Sequence, residues 1–131
     1  MAQHPIELIL TRQLGTQLAL PVFLIDHDGT MVFFNEAAEV VLGRRFEETE
    51  TMTAAEWAAI FVPRDAAGQP VSPDALPLMI ALRQKRPIHE ALLIRGLDGI
   101  DRRIEITAFP VIGITGRLAG ALAIFWESAC A

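Results

Sequence analysis

The chain has 131 residues, of which 52% are hydrophobic, and carries a formal net charge of −5 at pH 7. This length predicts one domain with a single hydrophobic core. The acidic balance, with Lys85 as the only lysine, argues against the basic face that nucleic-acid binding requires. The longest apolar run, Leu118 to Trp126, is too short for a membrane span, which needs about 20 residues.

The sequence also indicates a cellular compartment. The first residues, MAQHPIELIL, include no basic region and no small-residue cleavage site, so no signal peptide is expected. The one cysteine, Cys130, rules out an intrachain disulfide and a thiolate metal site. These features predict a cytoplasmic location without membrane association.

The first predicted element is a helix over residues 5–18, in which Pro5 suits the first turn and Gly15 costs about 1 kcal/mol relative to alanine. Its apolar side chains recur at helical spacing. They are Ile6, Ile9, Leu10, Leu14 and Leu18. We expect this stripe to cover a sheet of its own chain or of a second copy.

Next, the apolar runs VFLID and MVFF flank the turn HDGT, and two such runs joined through Asp-Gly predict a β-hairpin. Asn35 favours the N-cap of a helix over EAAEVVL, with Gly43 as its C-terminal cap. Thr53 and Glu56 have the spacing of a capping box for the helix AAEWAAIF. A loop rich in proline and glycine follows, and then a helix that ends at Arg83 and begins at Ser72 or Asp74.

From residue 87 the apolar period changes from that of a helix to that of a strand. PIHEALLIR, DRRIEITAFPVI and LAGALAIFW each predict a strand, separated by the turns GLDG and GITG. Both faces of the last strand are apolar: one carries Leu118, Leu122, Ile124 and Trp126, and the other carries Ala119, Ala121, Ala123 and Phe125. The order of elements predicts an α+β fold with a five-stranded antiparallel sheet and helices on one side.

The stretch DHDGT is similar to the active-site opening of haloacid-dehalogenase-like phosphatases, in which the first aspartate is the nucleophile and the second is the general acid. Asp26 and Asp28 would take these roles. Such an enzyme also needs alternating strands and helices, whereas residues 87–127 predict consecutive hairpins. The pattern therefore favours Asp28-Gly29 as a tight turn, and an aspartate-dependent phosphohydrolase is kept as a remote alternative.

The ordered set of motifs resembles a PAS domain, the sensor and interaction module of bacterial signalling proteins. The matching segments are LIDHDGTMVFFNEAAEVVLG, PRDAAGQPVSPDALPLMIALRQKRPI, IRGLDGIDRRIEITAFPVI and GALAIFWE. The resemblance implies a PAS-like five-stranded sheet with helices on one face and an N-terminal amphipathic helix. It divides the chain into a leading helix for capping or dimerisation (1–18), a PAS domain (19–127) and a tail (128–131).

The function that the resemblance implies is sensory signal transduction by a homodimer that acts on an effector protein or domain. The sequence contains no Ser-His-Asp set, no Cys-His pair and no metal-ligand spacing. We therefore expect no enzyme activity and no bound metal. PAS domains enclose a cavity between the sheet and the helices, which here would hold a small hydrophobic molecule. The alternative is a ligand-free protein-protein interaction module.

Known PAS cofactors make demands that can be compared with these residues. Haem needs an axial ligand, usually histidine, and the helix expected to supply it, DALPLMIALRQ, has none; His4, His27 and His89 fall in a tail, a turn and a strand. Photoactive flavin needs a cysteine in a Gly-x-Asn-Cys-Arg-Phe context, and the nearest match, LGRRFEE, has no cysteine. We therefore expect no cofactor. Trp57 is expected in the core or at its rim, and the alternative is that it stacks on a flavin without photochemistry. Arg95 and Arg103 are expected to be solvated surface residues, and the alternative is that one of them meets a ligand carboxylate at the rim.

Two sets of site residues follow. The expected cavity lining comprises Phe23, Ile25, Phe33, Trp57, Phe61, Leu78, Met79, Leu82, Leu92, Ile104, Ile106, Leu122 and Ile124, with Trp126 beside them. The expected dimer interface comprises Ile6, Ile9, Leu10, Leu14, Leu18, Ala121, Ala123 and Phe125.

Overall fold

The computed structural model describes residues 6–42, 52–95 and 99–128. Its elements are α1 (Ile6–Gln17), β1 (Val22–Asp26), β2 (Met31–Phe34), α2 (Glu36–Leu42), α3 (Ala54–Phe61), a 3-10 turn (Pro73–Ala75), α4 (Pro77–Gln84), β3 (Ile88–Arg95), β4 (Asp101–Ile112) and β5 (Leu118–Glu127). The predicted Gly43 cap of α2 lies outside the described residues. Within them, no helix is long and apolar enough to cross a membrane.

Five strands form one antiparallel sheet in the order β2-β1-β5-β4-β3. β5 lies at the centre and pairs with β1 and β4, so Val22 near the start of the chain lies beside Ile124 near its end. The helices α2, α3 and α4 pack on one face, here called the inner face, and α1 packs on the opposite, outer face. The predicted α+β fold, with its five antiparallel strands and leading helix, is confirmed.

Each face of the sheet has its own apolar cluster, because side chains along a strand alternate between the two faces. The strands supply the inner cluster with Phe23, Ile25, Phe34, Ile88, Leu92, Ile94, Ile104, Ile106 and Phe125, among others. The outer cluster consists of Leu8, Val22, Leu24, Val32, Phe33, Ala119 and Leu122. The sheet is therefore buried on both sides along β1 and β5.

Over residues 121–125, the faces of β5 are the reverse of the sequence-based expectation. Ala121, Ala123 and Phe125 belong to the inner cluster, whereas Leu122 belongs to the outer cluster and Ile124 packs against it. The cause is the pairing with β1, where Phe23 lies beside Ala123 and stacks on Phe125 with 4.9 Å between ring centroids. Small side chains therefore occupy the crowded inner face, and the larger aliphatic ones support α1.

Asn35 is a buried polar side chain with partners for both ends of its amide. Its Oδ1 accepts hydrogen bonds from the backbone N–H groups of Val22 and Ala38, both at 3.0 Å. Its Nδ2 donates to the carbonyl oxygens of Gly15 at 3.0 Å and Leu20 at 2.9 Å. The bond from Ala38 caps α2 as predicted, and the other three fasten the segment between α1 and β1.

The capping box predicted for α3 is present. The Thr53 hydroxyl accepts a hydrogen bond from the Glu56 backbone N–H at 3.3 Å, and the Glu56 carboxylate accepts one from the Thr53 backbone N–H at 2.9 Å. The hydrogen bond from the Thr53 backbone N–H to the carboxylate, and then the Thr53 side chain, hold the pKa of Glu56 below its ordinary value. The pair satisfies two N–H groups that would otherwise lack partners at the start of the helix.

The fourth helix begins later than predicted. Ser72 and Asp74 fall at a short 3-10 turn, and α4 starts at Pro77. Leu76 between them has an extended backbone, with φ −72° and ψ 144°. A residue that precedes proline is sterically disfavoured in the helical region, so Pro77 sets the boundary.

Replacing Asn35 with alanine is expected to lower the free energy of unfolding by about 3 kcal/mol. The change removes a helix cap, worth about 1 kcal/mol, and leaves buried backbone groups without partners. Urea unfolding measures the loss. Val40→Ala is the matched control, because Val40 lies on α2 with 74% of its surface exposed; equal stability of the two variants would contradict the role given to Asn35.

Candidate functional site

The inner face and its helices enclose an apolar cup. Its cavity has a volume of about 40 Å³. The lining residues are Phe23, Trp57, Pro63, Leu76, Pro77, Leu78, Leu92, Ile94, Ile104 and Ile106. The side chains of β1, β3 and β4 form its floor, and α3, the Pro63 segment and the start of α4 form its walls.

Six of the predicted cavity residues line this cavity: Phe23, Trp57, Leu78, Leu92, Ile104 and Ile106. Three others, Ile25, Leu82 and the partly buried Met79, pack in the inner cluster without lining the cavity. Phe33, Leu122 and Ile124 lie on the outer face, which corrects their assignment. The side chain of Phe61 lies outside what the structure describes.

Four lining residues were absent from the sequence-based set: Pro63, Leu76, Pro77 and Ile94. Ile94 lies two residues after Leu92 and therefore on the same face of β3, so the period-two pattern of a strand predicts it. The other three come from a loop and a helix start, where no periodicity operates. Only the tertiary fold brings them to the cup.

Trp57 joins the cup to the β1–β2 turn. Its indole Nε1 donates a hydrogen bond of 3.1 Å to the carbonyl oxygen of Gly29. Gly29 has a φ of +84°, and a Cβ there would lie 3.1 Å from Met79 Cε. The turn therefore needs glycine both for its backbone conformation and for the space that α4 leaves.

The aspartates of the DHDGT segment build this turn. Asp26 Oδ1 accepts hydrogen bonds from the backbone N–H groups of Asp28 at 2.9 Å and Thr30 at 3.1 Å. The strands on either side pair antiparallel, which confirms the predicted hairpin. One donor atom each from Asp26, His27 and Asp28 lie within 4.8 Å of one another. Asp26 is half-buried and its Oδ1 serves the turn, whereas His27 and Asp28 are exposed.

Arg95 and Arg103, which the sequence predicts to be surface residues, do not line the cavity. Arg95 Nε donates a hydrogen bond of 2.8 Å to Asp101 Oδ1. Arg64 Nη2 lies 3.0 Å from the same oxygen, as an ion pair without good hydrogen-bond geometry. The hydrogen bond from Arg95 is the main cause that holds the pKa of Asp101 below its ordinary value, and the nearby Arg64 guanidinium lowers it further. Arg103 is exposed on the outer face, opposite Leu93.

The residues and the volume of the cup can be compared with what haem and flavin need for binding. His27 is in the exposed turn, His89 pairs with Thr107 on the outer face, and His4 lies outside the described residues. No described histidine therefore reaches the cup to ligate haem. Small-molecule sites have volumes of about 300 to 1,000 Å³, so a cavity of about 40 Å³ does not fit an isoalloxazine ring.

The helix α1 has two apolar sides. Leu8 is 2% exposed, and Gly15 lies so close to Phe33 that a Cβ would be 3.2 Å from its ring. Most of the predicted stripe points the other way: Ile6, Ile9, Leu10 and Leu14 are 64%, 42%, 57% and 58% exposed. Leu18 alone of the stripe packs against the outer cluster.

The helix α1 also contacts β5. Leu18 and Ile124 both pack against the outer cluster, and Trp126 lies further along the same face of β5. Trp126 is 37% exposed. We call Ile6, Ile9, Leu10, Leu14, Ile124 and Trp126 the apolar outer surface.

A five-stranded antiparallel sheet that closes an apolar cup with helices defines a sensor-type domain. The sequence model of the PAS fold matches residues 16–128. The chain therefore belongs to the PAS fold family. Comparison with curated protein sequences gives no match.

Solved structures share this fold. The PAS domain of Bordetella pertussis BvgS superimposes with a TM-score of 0.66 at 17% identity, over 95% of this chain and 87% of that one. A PAS domain from Colwellia psychrerythraea gives 0.64 at 17% identity, over 92% and 97%. A LOV protein of Rhodobacter sphaeroides gives 0.70 at 14% identity, over 95% and 69%. At these identities the likeness concerns the fold alone.

Replacing Trp57 with phenylalanine is expected to lower the free energy of unfolding by about 1 to 3 kcal/mol, because the buried carbonyl of Gly29 loses its donor. Urea unfolding measures the effect. Trp126→Phe, the same change at the half-exposed tryptophan, should alter stability by less than about 0.5 kcal/mol. Equal losses in the two variants would show that the bond to Gly29 contributes nothing.

Proposed function

We propose that this PAS domain is a non-enzymatic sensory and signal-transduction module that works as a homodimer through its apolar outer surface. The observation that carries the proposal is the exposure of Ile6, Ile9, Leu10 and Leu14 on a helix already docked through Leu8. A helix in a monomer normally exposes polar side chains on the face away from its core. This one exposes a second apolar face instead.

A second copy is the partner that best fits this face. Full burial of a leucine or isoleucine side chain is worth roughly 1.5 to 3 kcal/mol, so four of them supply a substantial gain in association. A two-fold axis brings the same patch of each copy together, and an apolar stripe is complementary to itself. The aromatic side chain of Trp126 is of the kind enriched at interface centres.

The interface proposed here keeps the α1 residues expected from the sequence and changes the strand residues. Ala121, Ala123 and Phe125 lie in the inner cluster and so cannot belong to an interface on the outer face. We assign Ile124 and Trp126 of β5 to the interface instead. β1 carries part of the floor of the cup on its inner face, and β1 and β5 together support α1 on the outer face. A structural change in the cup or at the apolar outer surface would therefore be passed through these strands to an effector protein or domain.

The cup favours the ligand-free form of this function. Its interior is filled by the chain's own aromatic rings, including the Phe23–Phe125 stack and the Phe23–Phe34 contact at 6.0 Å. The carboxylate of Asp26 is engaged in a turn, which supports a role without catalysis. The cytoplasmic location expected from the sequence stays a prediction.

A small hydrophobic ligand is the second candidate, and the wholly apolar lining of the cavity favours it. With a volume of about 40 Å³, the cup has to open for any molecule of metabolite size. The walls that would move are the Pro63 segment and the start of α4, since these are joined to the sheet by fewer backbone bonds than the strands are to one another.

Replacing Leu10 and Leu14 together with glutamate is expected to give a folded monomer, because two charges on the stripe would have to be desolvated in the dimer. Sedimentation equilibrium measures the mass, and circular dichroism checks the fold. Val40→Glu is the matched control: Val40 is an exposed apolar residue on α2, away from the apolar outer surface. A double variant that remains dimeric would overturn the proposed interface.

Comparing the mass of the purified protein under native and denaturing conditions tests the cup. We expect two bare chains in the native dimer and one bare chain after denaturation. A released adduct of a few hundred daltons would instead support the small-ligand candidate. Repeating the comparison after incubation with a mixture of fatty acids separates an empty cup from one that lost its ligand during purification.

A further inference from the structure

A titratable pair lies at the border of the apolar outer surface. His89 Nε2 lies 2.9 Å from Glu105 Oε1, with His89 on the edge strand β3 and Glu105 on the neighbouring β4. The His89 ring also lies 5.9 Å from the ring of Trp126, which pairs with Glu105 across β4 and β5. The three side chains form one cluster that joins the ion pair to the proposed interface.

Among the described residues, few charged side chains lie near His89. From β4, Glu105 and Arg103 share its face, and Arg103 stands opposite Leu93 rather than His89. β5 contributes Trp126 and Ile124, which do not titrate. On its own strand, Glu90 points to the opposite face, in register with Ile106. Arginine stays charged at all physiological pH values, so among the described residues of this cluster histidine is the residue type whose charge can change near neutral pH.

We propose that the His89–Glu105 pair makes self-association through the apolar outer surface pH-dependent, and that protonation of His89 strengthens it. The inference rests on the proposed homodimer. When a second copy covers Trp126, water is removed from the adjoining Glu105 carboxylate, and a desolvated charge without a counter-charge is costly. A protonated imidazole makes the pair neutral and turns its contact into a charge-assisted hydrogen bond.

Two-fold symmetry strengthens this effect. Each copy brings one Glu105 carboxylate to the same interface, and with neutral histidines these two negative charges oppose association. When both histidines are protonated, each copy instead brings a His89–Glu105 pair with no net charge to the interface. The dimer therefore takes up protons as it forms, so we expect it to be more stable at acidic than at alkaline pH.

The test is the dimer dissociation constant, measured by sedimentation equilibrium at about pH 6 and about pH 8 at one ionic strength. We expect the constant of the unaltered chain to be roughly threefold to tenfold lower at the acidic pH. His89→Gln keeps a hydrogen-bond donor and should remove the difference. Glu105→Gln should reverse it, because a protonated imidazole would then lose its anion. His27→Gln, at a histidine in the exposed turn, should keep the response of the unaltered chain.

The outcomes separate this inference from the proposed homodimer. A dimer with equal dissociation constants at both pH values, or one whose pH response survives His89→Gln, overturns the role of the pair and leaves the dimer standing. A chain that is monomeric at both pH values overturns the dimer and this inference together. A response lost in His89→Gln and kept in His27→Gln supports it.

Discussion

The amide of Asn35 is the contact on which the arrangement of the amino-terminal half depends. It binds the end of α1, the linker before β1, the first residue of β1 and the first turn of α2 at once. Since a buried amide is stable only when its donors and acceptors are satisfied, these four segments are held in one geometry. This one side chain therefore helps to fix the end of α1, the helix that carries the exposed stripe.

Local patterns predicted the elements well because their causes are local. The Asp-Gly turn, the Thr53–Glu56 capping box and the period-two alternation in β4 each depend on residues a few positions apart, and all three are present. The helix α4 starts later than the apolar pattern predicts, because Pro77 disfavours a helical backbone at Leu76. The order of the strands within the sheet depends on tertiary pairing, which periodicity does not contain.

The candidate site was predicted less completely, because it depends on which face of an element is covered. β5 and α1 are apolar on two sides, and periodicity cannot rank two apolar sides. The deciding contacts are tertiary: the stacking of Phe23 on Phe125 turns the alanines of β5 inward, and the close approach of Gly15 to Phe33 turns the leucine stripe of α1 outward. Pro63 and Leu76 reach the cup from irregular segments and carry no periodic signal at all.

The central pair of strands also determines when the domain can fold. β1, near the start of the chain, pairs with β5, near its end, and β5 supplies the inner and outer clusters alike. Contacts between such distant segments are slow to form, because a long loop must close before they stabilise anything. During synthesis the β1–β2 hairpin and α1 therefore wait for the last strand to leave the ribosome, and the two apolar faces of the sheet become covered in the same late step.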